Sequence, residues 1–342
     1  MNTINRSVFE PNLQRDYGLL TSSVSGTHAI VTGAAGGLGK GIVEELLRHN
    51  ASVVAADIDT RALHALPQHP NLHIHHVDVT QYASQLALFR YARATFGRID
   101  AVYANAGIAT SGYLADVGQV GEQDTPTPPD LNIIDVNVKG VLYTTHLAVQ
   151  AFREDKRSNA RGGIGTNSKP HTRHPSIILT GSFTSFLSSP STPAAYAASK
   201  HAVFSLMRSL ATTGEYEGFR CNLVCPWFTP TAMVESSVRI LLTGIGMAAA
   251  EPVVRAFLIA GMDTSLTGAA LVIDTDGLFV IPDTTINSHC AQAFRDRYLS
   301  VLKMQHAARV YRTPLILTGG LLTVLSLASG VSYVLRFLRK CK

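Results

Sequence analysis

The chain reads as an α/β fold: one domain built on a doubly wound parallel sheet with helices on both faces. Three observations point there. Short apolar runs alternate with segments of helical periodicity along most of the length. The first of these runs ends in a glycine-rich turn that opens a helix. With 342 residues, 46% of them hydrophobic, the chain can bury one large core, and no internal repeat suggests a solenoid.

Residues 1–25 are an N-terminal extension without the apolar stretch of a secretory signal. The first strand, Ala29-Ile30-Val31, runs into Thr32-Gly33-Ala34-Ala35-Gly36-Gly37-Leu38-Gly39, after which Ile42, Val43, Leu46 and Leu47 recur at helical spacing. A strand, a glycine turn and a helix N-terminus make a site for a pyrophosphate. Missing Cβ atoms let the backbone approach the ligand, and the free N–H groups favour its charge. A second strand over 51–56 ends in Asp57, near the offset of about twenty residues at which an acid meets the adenosine ribose. A carboxylate there accepts from both ribose hydroxyls and repels a 2′-phosphate. The next basic residue is Arg61, so NAD is expected rather than NADP.

Further strands are expected at 73–77, 101–104, 176–180, 221–225 and 270–274, the last completing the sheet. Two polar stretches rich in glycine and proline interrupt the alternation. Residues 118–130 should loop over the sheet edge. Residues 153–175, with Lys156, Arg157, Arg161, Lys169 and Arg173, are expected to be a disordered insertion.

Tyr196 and Lys200 stand four residues apart in Tyr196-Ala197-Ala198-Ser199-Lys200, so on a helix they share a face. A neighbouring ammonium favours a phenolate and would move the tyrosine pKa down toward the working range of a base. The pair gains meaning from its company. The chain resembles the short-chain dehydrogenase/reductase family residue by residue from about Gly26 to Ile281. Thr32, Gly33, Gly37 and Gly39 match its glycine loop, Asp78-Val79 the pair that flanks the adenine, and Asn105-Ala106-Gly107 its turn after the fourth strand. Asn137 matches the helix asparagine and Ser182 the active-site serine.

The resemblance implies a Rossmann-type domain in which Ser182, Tyr196, Lys200 and Asn137 are catalytic. Tyr196 would exchange a proton with the substrate, and Ser182 would hold the reacting oxygen. Lys200 would bind the nicotinamide ribose and, with the cationic ring of NAD⁺, lower the tyrosine pKa, while Asn137 would position a water in a proton relay. The implied cofactor contacts are Thr32, Gly33, Gly37, Leu38, Gly39, Asp57, Asp78, Val79, Asn105, Ala106, Gly107, Tyr196, Lys200, Pro226 and Thr231. Where the family has Pro-Gly after its sixth strand, this chain has Pro226-Trp227, and Trp227 is expected to line the pocket near the nicotinamide. The serine-to-tyrosine spacing is one residue longer than usual, which leaves Ser185 as a rival to Ser182. Segments around Cys225-Pro226-Trp227-Phe228 are also similar to 15-hydroxyprostaglandin dehydrogenase relatives and to fungal secondary-metabolism dehydrogenases.

Charge and cysteines exclude other classes. The net charge of +5 lies over the insertion and the C-terminal end without a nucleic-acid motif, so no nucleic-acid partner is expected. Cys221, Cys225, Cys290 and Cys341 lack metal spacing, so no metal is expected. Residues 286–312 read as a basic helical connector and 313–342 as a transmembrane anchor with a short basic tail. Residues 314–335 are uncharged, and as a helix they would span about 33 Å against a hydrocarbon core of about 30 Å. The expected protein is a single-pass, membrane-tethered enzyme, its catalytic domain cytosolic, forming a homodimer or homotetramer. It would pass a hydride between NAD and a lipophilic secondary alcohol or ketone such as a terpenoid, steroid or prostanoid, whose entry Trp227, Phe228 and a mobile segment over 233–260 would bound. The alternative is a membrane-anchored NAD-binding scaffold or sensor without turnover.

Overall fold

The computed structural model describes residues 22–109, 130–160, 174–186, 192–231 and 246–281. Eight strands form one sheet: β1 (His28–Thr32), β2 (Ser52–Asp57), β3 (Leu72–His76), β4 (Ala101–Ala104), β5 (Ser176–Thr180), β6 (Arg220–Pro226), β7 (Ala270–Ile273) and β8 (Leu278–Ile281). Their spatial order is β3-β2-β1-β4-β5-β6-β7-β8. Every pairing is parallel except β7 with β8. The order reverses between β1 and β4, and in such sheets the crevice at the carboxyl ends of the strands beside that reversal is where ligands bind.

Both sheet faces are covered, which is why β1, β2 and β4 to β6 are almost continuously apolar. Alternate side chains go to opposite layers. Ala29, Val31, Val53 and Tyr103 join α1 (Gly37–Arg48) and α6 (Ala250–Met262) in one core. Ile30, Val54, Val102 and Ile177 join α3 (Tyr82–Phe96), α4 (Val141–Ala160) and α5 (Ala194–Glu217) in the other. A short helix, α2 (Thr60–His64), follows β2, and α4 is entered through a turn at Asn132–Ile134 and a π-helical turn at Asp135–Gly140.

Three expectations need correction. Residues 153–160 are not part of a disordered insertion; they are the last two turns of α4. Arg153 pairs with Glu217 at the end of α5, Lys156 Nζ donates to Glu217 O at 3.0 Å, and buried Asp155 accepts from Ile99 N at 3.3 Å and pairs with Arg93. These tertiary ion pairs fasten a stretch whose composition alone looks polar and loose. His174 and Pro175 are also placed, and only 161–173 of that segment lie outside the described residues.

The sheet does not end at residue 274. Asp274 Oδ1 accepts from the N–H groups of Asp276 at 2.7 Å and Gly277 at 3.2 Å, and this turn folds β8 back antiparallel onto β7. Residues 250–260, read as part of a mobile segment at the substrate mouth, are helical and largely buried in α6. Arg220 holds the end of that helix. Its buried guanidinium donates to the carbonyl oxygens of Ala260 (3.4 Å), Asp263 (2.7 Å), Leu266 (3.2 Å) and Gly261. A cation at this terminus also opposes the helix dipole.

Contacts divide the chain into Met1–Thr285 and Ile286–Lys342. The connector and anchor expected at 286–342 lie outside the described residues, as do 1–21 and residues 118–129 of the loop expected at 118–130. Among the described residues, no helix is long and apolar enough to cross a membrane.

Candidate active site

The glycine loop between β1 and α1 is held so tightly that side chains have no room. A Cβ on Gly33 (φ +67°) would come within 2.7 Å of Ala106 Cα, and one on Gly39 would lie 1.9 Å from Gly33 O. Around Gly36, by contrast, a Cβ would meet nothing within 4 Å. No side chain caps the α1 N-terminus and its first turn carries no acid, so among the described residues the helix's own turn leaves the N-terminus open to an anion. Leu38 packs partly buried against the core beneath the loop.

Asn105 secures this arrangement. Its Nδ2 donates to Thr32 O and Gly33 O, both at 3.1 Å, and its Oδ1 accepts from Thr180 Oγ1 at 3.2 Å, which ties the ends of β1, β4 and β5 together. Thr32 Oγ1 accepts from the N–H groups of Asn105 and Ala106, each at 3.2 Å. At the end of β2, Asp57 Oδ2 accepts from Ala35 N in the loop at 2.9 Å, and Oδ1 accepts from Asp59 N at 3.0 Å. Ile58 beside it is 63% exposed. Asp78 Oδ1 accepts from Thr80 N and Oγ1, while Val79 packs against Gly140. From the far side of the crevice, the Thr231 methyl stands 3.6 Å from the Cβ position of Gly37, and Pro226 ends β6. This cradle fits a dinucleotide: the pyrophosphate over the α1 terminus, a ribose at Asp57, and the adenine beside Asp78 and Val79.

The second cluster meets the cradle at Gly107. A Cβ there would lie 3.2 Å from Asn137 Oδ1 and 3.6 Å from Lys200 Nζ. Lys200 is buried on α5, donates to Thr180 O at 3.0 Å, and has its ammonium 5.7 Å from the Tyr196 ring centroid. Burial lowers its pKa from 10.5 to about 8, against a small opposing effect from the Cys225 thiol. The Ser182 side chain stands against that of Tyr196 and favours its phenolate. Ser185 is set back from the reacting position. Its Oγ accepts from Ser182 N at 3.2 Å and contacts the Cys225 thiol, so it shapes the Ser182 turn. Cys225 itself is a buried thiol whose pKa burial pushes up to about 12, and it is inert as a nucleophile in this state.

Two details qualify the expected roles. Without cofactor the tyrosine pKa is raised: burial of the phenol outweighs the opposing effect of the Ser182 side chain. The Asn137 side chain has a bracing role as well. Its Oδ1 accepts from Ile108 N (2.8 Å), and its Nδ2 donates to Ile108 O (2.9 Å) and Ser199 Oγ (3.1 Å). Asn137 therefore pins the Gly107 turn to α5 from within the π-helical turn, a distortion common at functional sites. Ser199, between the tyrosine and lysine, has its own role here, donating to Tyr196 O at 2.7 Å; nothing in a single sequence singles it out. Among the described residues no group of His, Cys, Asp or Glu could hold a metal.

Trp227 occupies the family's glycine position without a positive φ, and its N–H extends the β6–β7 pairing to Ile273 O at 2.7 Å. Its ring meets Phe183, the neighbour of Ser182, and Phe228.

The profile of the short chain dehydrogenase family matches residues 27–240. The chain is 31% identical over 235 residues to short-chain dehydrogenase/reductase ascJ of Acremonium egyptiacum, covering 68% of this chain and 72% of that protein. It is 30% identical to 5′-hydroxyaverantin dehydrogenase of Dothistroma septosporum (77% and 89% covered) and 33% identical to 3β-hydroxysteroid dehydrogenase 2 of Eggerthella lenta (61% and 73%). The fold superposes with a TM-score of 0.63 on a short-chain type dehydrogenase/reductase from Mycobacterium marinum, at 24% identity, covering 75% of this chain and 97% of that one. A glycine cradle at the switch point, a serine–tyrosine–lysine cluster beside it and the profile match agree: the chain belongs to the short-chain dehydrogenase family.

Proposed function

We propose that this oxidoreductase takes NAD rather than NADP and interconverts a lipophilic secondary alcohol and its ketone, in a secondary-metabolite or related lipid pathway. The observation that carries the reaction is Tyr196 with the Ser182 side chain and the Lys200 ammonium both set against it, beside the dinucleotide cradle. Ser182 holds the substrate oxygen, and Tyr196 takes the hydroxyl proton as the carbinol C–H leaves as hydride. Bound NAD⁺ supplies the hydride acceptor and a positive charge that favours the phenolate. Lys200 holds the ribose. With a pKa of about 8 it also passes a proton readily near neutrality, toward a water at the Asn137 turn. Asp57, with Ile58 rather than a cation beside it, supports NAD. Two relatives bear names that refer to a hydroxysteroid and to 5′-hydroxyaverantin, which supports a bulky lipophilic substrate.

The same reading places the catalytic domain on the cytosolic face of a membrane, tethered by the uncharged run at 314–335.

Tyr196→Phe tests the reaction. Turnover should fall by about three orders of magnitude, with NAD affinity within about threefold of wild type, since only the acid/base group is lost. Appreciable activity in the variant would reject Tyr196 as the base. NAD binding without turnover of any lipophilic alcohol by the wild-type protein would favour the scaffold.

A further inference from the structure

We infer that the substrate presents a planar aromatic ring next to its carbinol carbon, and that Phe183, Trp227 and Phe228 form the wall that receives it. This deepens the dehydrogenase reading and rests on it. The three rings come from the two loops that bound the reacting centre. Phe183 follows Ser182 directly, and Trp227 and Phe228 stand between Pro226 and the loop residues Thr229 and Thr231.

Their geometry is specific. Phe183 meets Trp227 edge-on with centroids 4.4 Å apart and planes at 65°; Phe228 meets it at 5.1 Å and 87°. The two phenyl rings are 6.4 Å from each other, far closer than they would be on opposite faces of the indole. They therefore approach Trp227 from adjacent directions and do not sandwich it. The indole is held from rotating by its Nε1–H, which donates to Gly246 O at 3.3 Å. All three rings are partly, not fully, buried.

Such a group is costly to leave beside water unless a ligand covers it. Pre-set ring edges and faces offer a flat, conjugated partner the offset and edge-to-face contacts that a saturated ring of equal size cannot match. Phe183 adjoins Ser182 in the chain, so in this proposal an aromatic ring stacked on the wall would hold its benzylic oxygen near the Ser182 and Tyr196 hydroxyls.

The probes are 1-(2-naphthyl)ethanol and its fully saturated decalin counterpart, with NAD and full-length protein in mild detergent. Wild-type kcat/KM should favour the naphthyl alcohol by about five- to tenfold, the range set by one or two aromatic contacts. Trp227→Leu should bring that ratio to within about twofold by lowering the naphthyl value and not the decalin one. Phe228→Leu, a milder change, should lower it partway. Because Trp227 is the only tryptophan, quenching of its emission as 2-acetonaphthone binds the NADH complex reports the contact directly. Equal kcat/KM for the two alcohols, or a preference that survives both substitutions, overturns the inference while leaving the dehydrogenase reading intact. If no alcohol is turned over, that reading fails instead, and the aromatic wall is then judged by calorimetry alone. Equal affinities of 2-acetonaphthone and the saturated ketone would refute it; a naphthyl preference lost in Trp227→Leu would sustain it.

Discussion

Lys200→Met should make the protein more stable at neutral pH while abolishing its activity. The ammonium is buried and receives one hydrogen-bond acceptor, Thr180 O at 3.0 Å. Its fall from the ordinary 10.5 to about 8 corresponds to roughly 3 kcal/mol of preference against the charged form in the folded state. Methionine has a similar length and no charge. Losing the bond to Thr180 O costs about 1 kcal/mol, so the net gain is about 2 kcal/mol, or roughly 4–8 °C in melting temperature for a domain of this size. The pH dependence has a definite sign. Below the folded pKa both states carry the charge and the penalty is fully present. Between about 8 and 10.5 the unfolded chain binds the proton that the folded one has released, so wild-type stability rises with pH. Thermal melts of both proteins without NAD should therefore show the largest gap near pH 7 and a gap that closes toward pH 10. A variant that melts at or below wild type near pH 7, or a gap independent of pH, would refute the burial argument.

Gly39→Ala puts helix propensity and packing in opposition. Alanine should gain about 1 kcal/mol in a helix, but its Cβ would stand 1.9 Å from Gly33 O and 2.6 Å from Asn105 Nδ2. The loop must shift, so NAD affinity read by calorimetry should fall more than about tenfold; unchanged affinity would show that the cradle is not the cofactor site. Asp57→Ala with Ile58→Arg should move the ratio of NAD to NADP kcat/KM toward NADP by about a hundredfold, by removing repulsion and adding a bidentate partner. A wild-type preference for NADP would contradict the role given to Asp57. Deleting 313–342 should release an active enzyme from membranes, whereas full-length protein should resist carbonate extraction. Soluble full-length protein, with a truncated form that aggregates, would point to a helix packed on a partner copy instead.

Much of the site could be read from local pattern. Residues 101–104 and 176–180 match β4 and β5, because strands buried on both faces are apolar throughout and bounded by polar turns. The same holds for the glycine loop, whose small residues answer to a close approach that a single segment already implies. What composition misjudged was the basic stretch after residue 152. Its charges look solvated in the sequence, yet Arg153, Lys156 and Asp155 find partners on α5, on α3 and before β4, up to 64 residues away. The segment read as mobile at 250–260 failed likewise: Arg220, distant in sequence, caps that helix.

The sequence by itself determined the reaction chemistry: which residue types stand at the ends of which strands, and hence a dinucleotide cradle with a serine, tyrosine and lysine beside it. These signals are short-range, since helical spacing and strand-to-turn transitions are properties of a few neighbouring residues. Only the tertiary structure decided the electrostatics and the supporting contacts. Whether Tyr196 is raised or lowered depends on the balance of burial and charge, which exists only once the core closes around it. That Asn137 braces the Gly107 turn depends on Ile108 and Ser199 arriving from separate elements. Ser185 gave way to Ser182 for the same reason: two hydroxyls three residues apart are equivalent on paper, and the fold turns one toward Tyr196 and the other toward the Cys225 thiol.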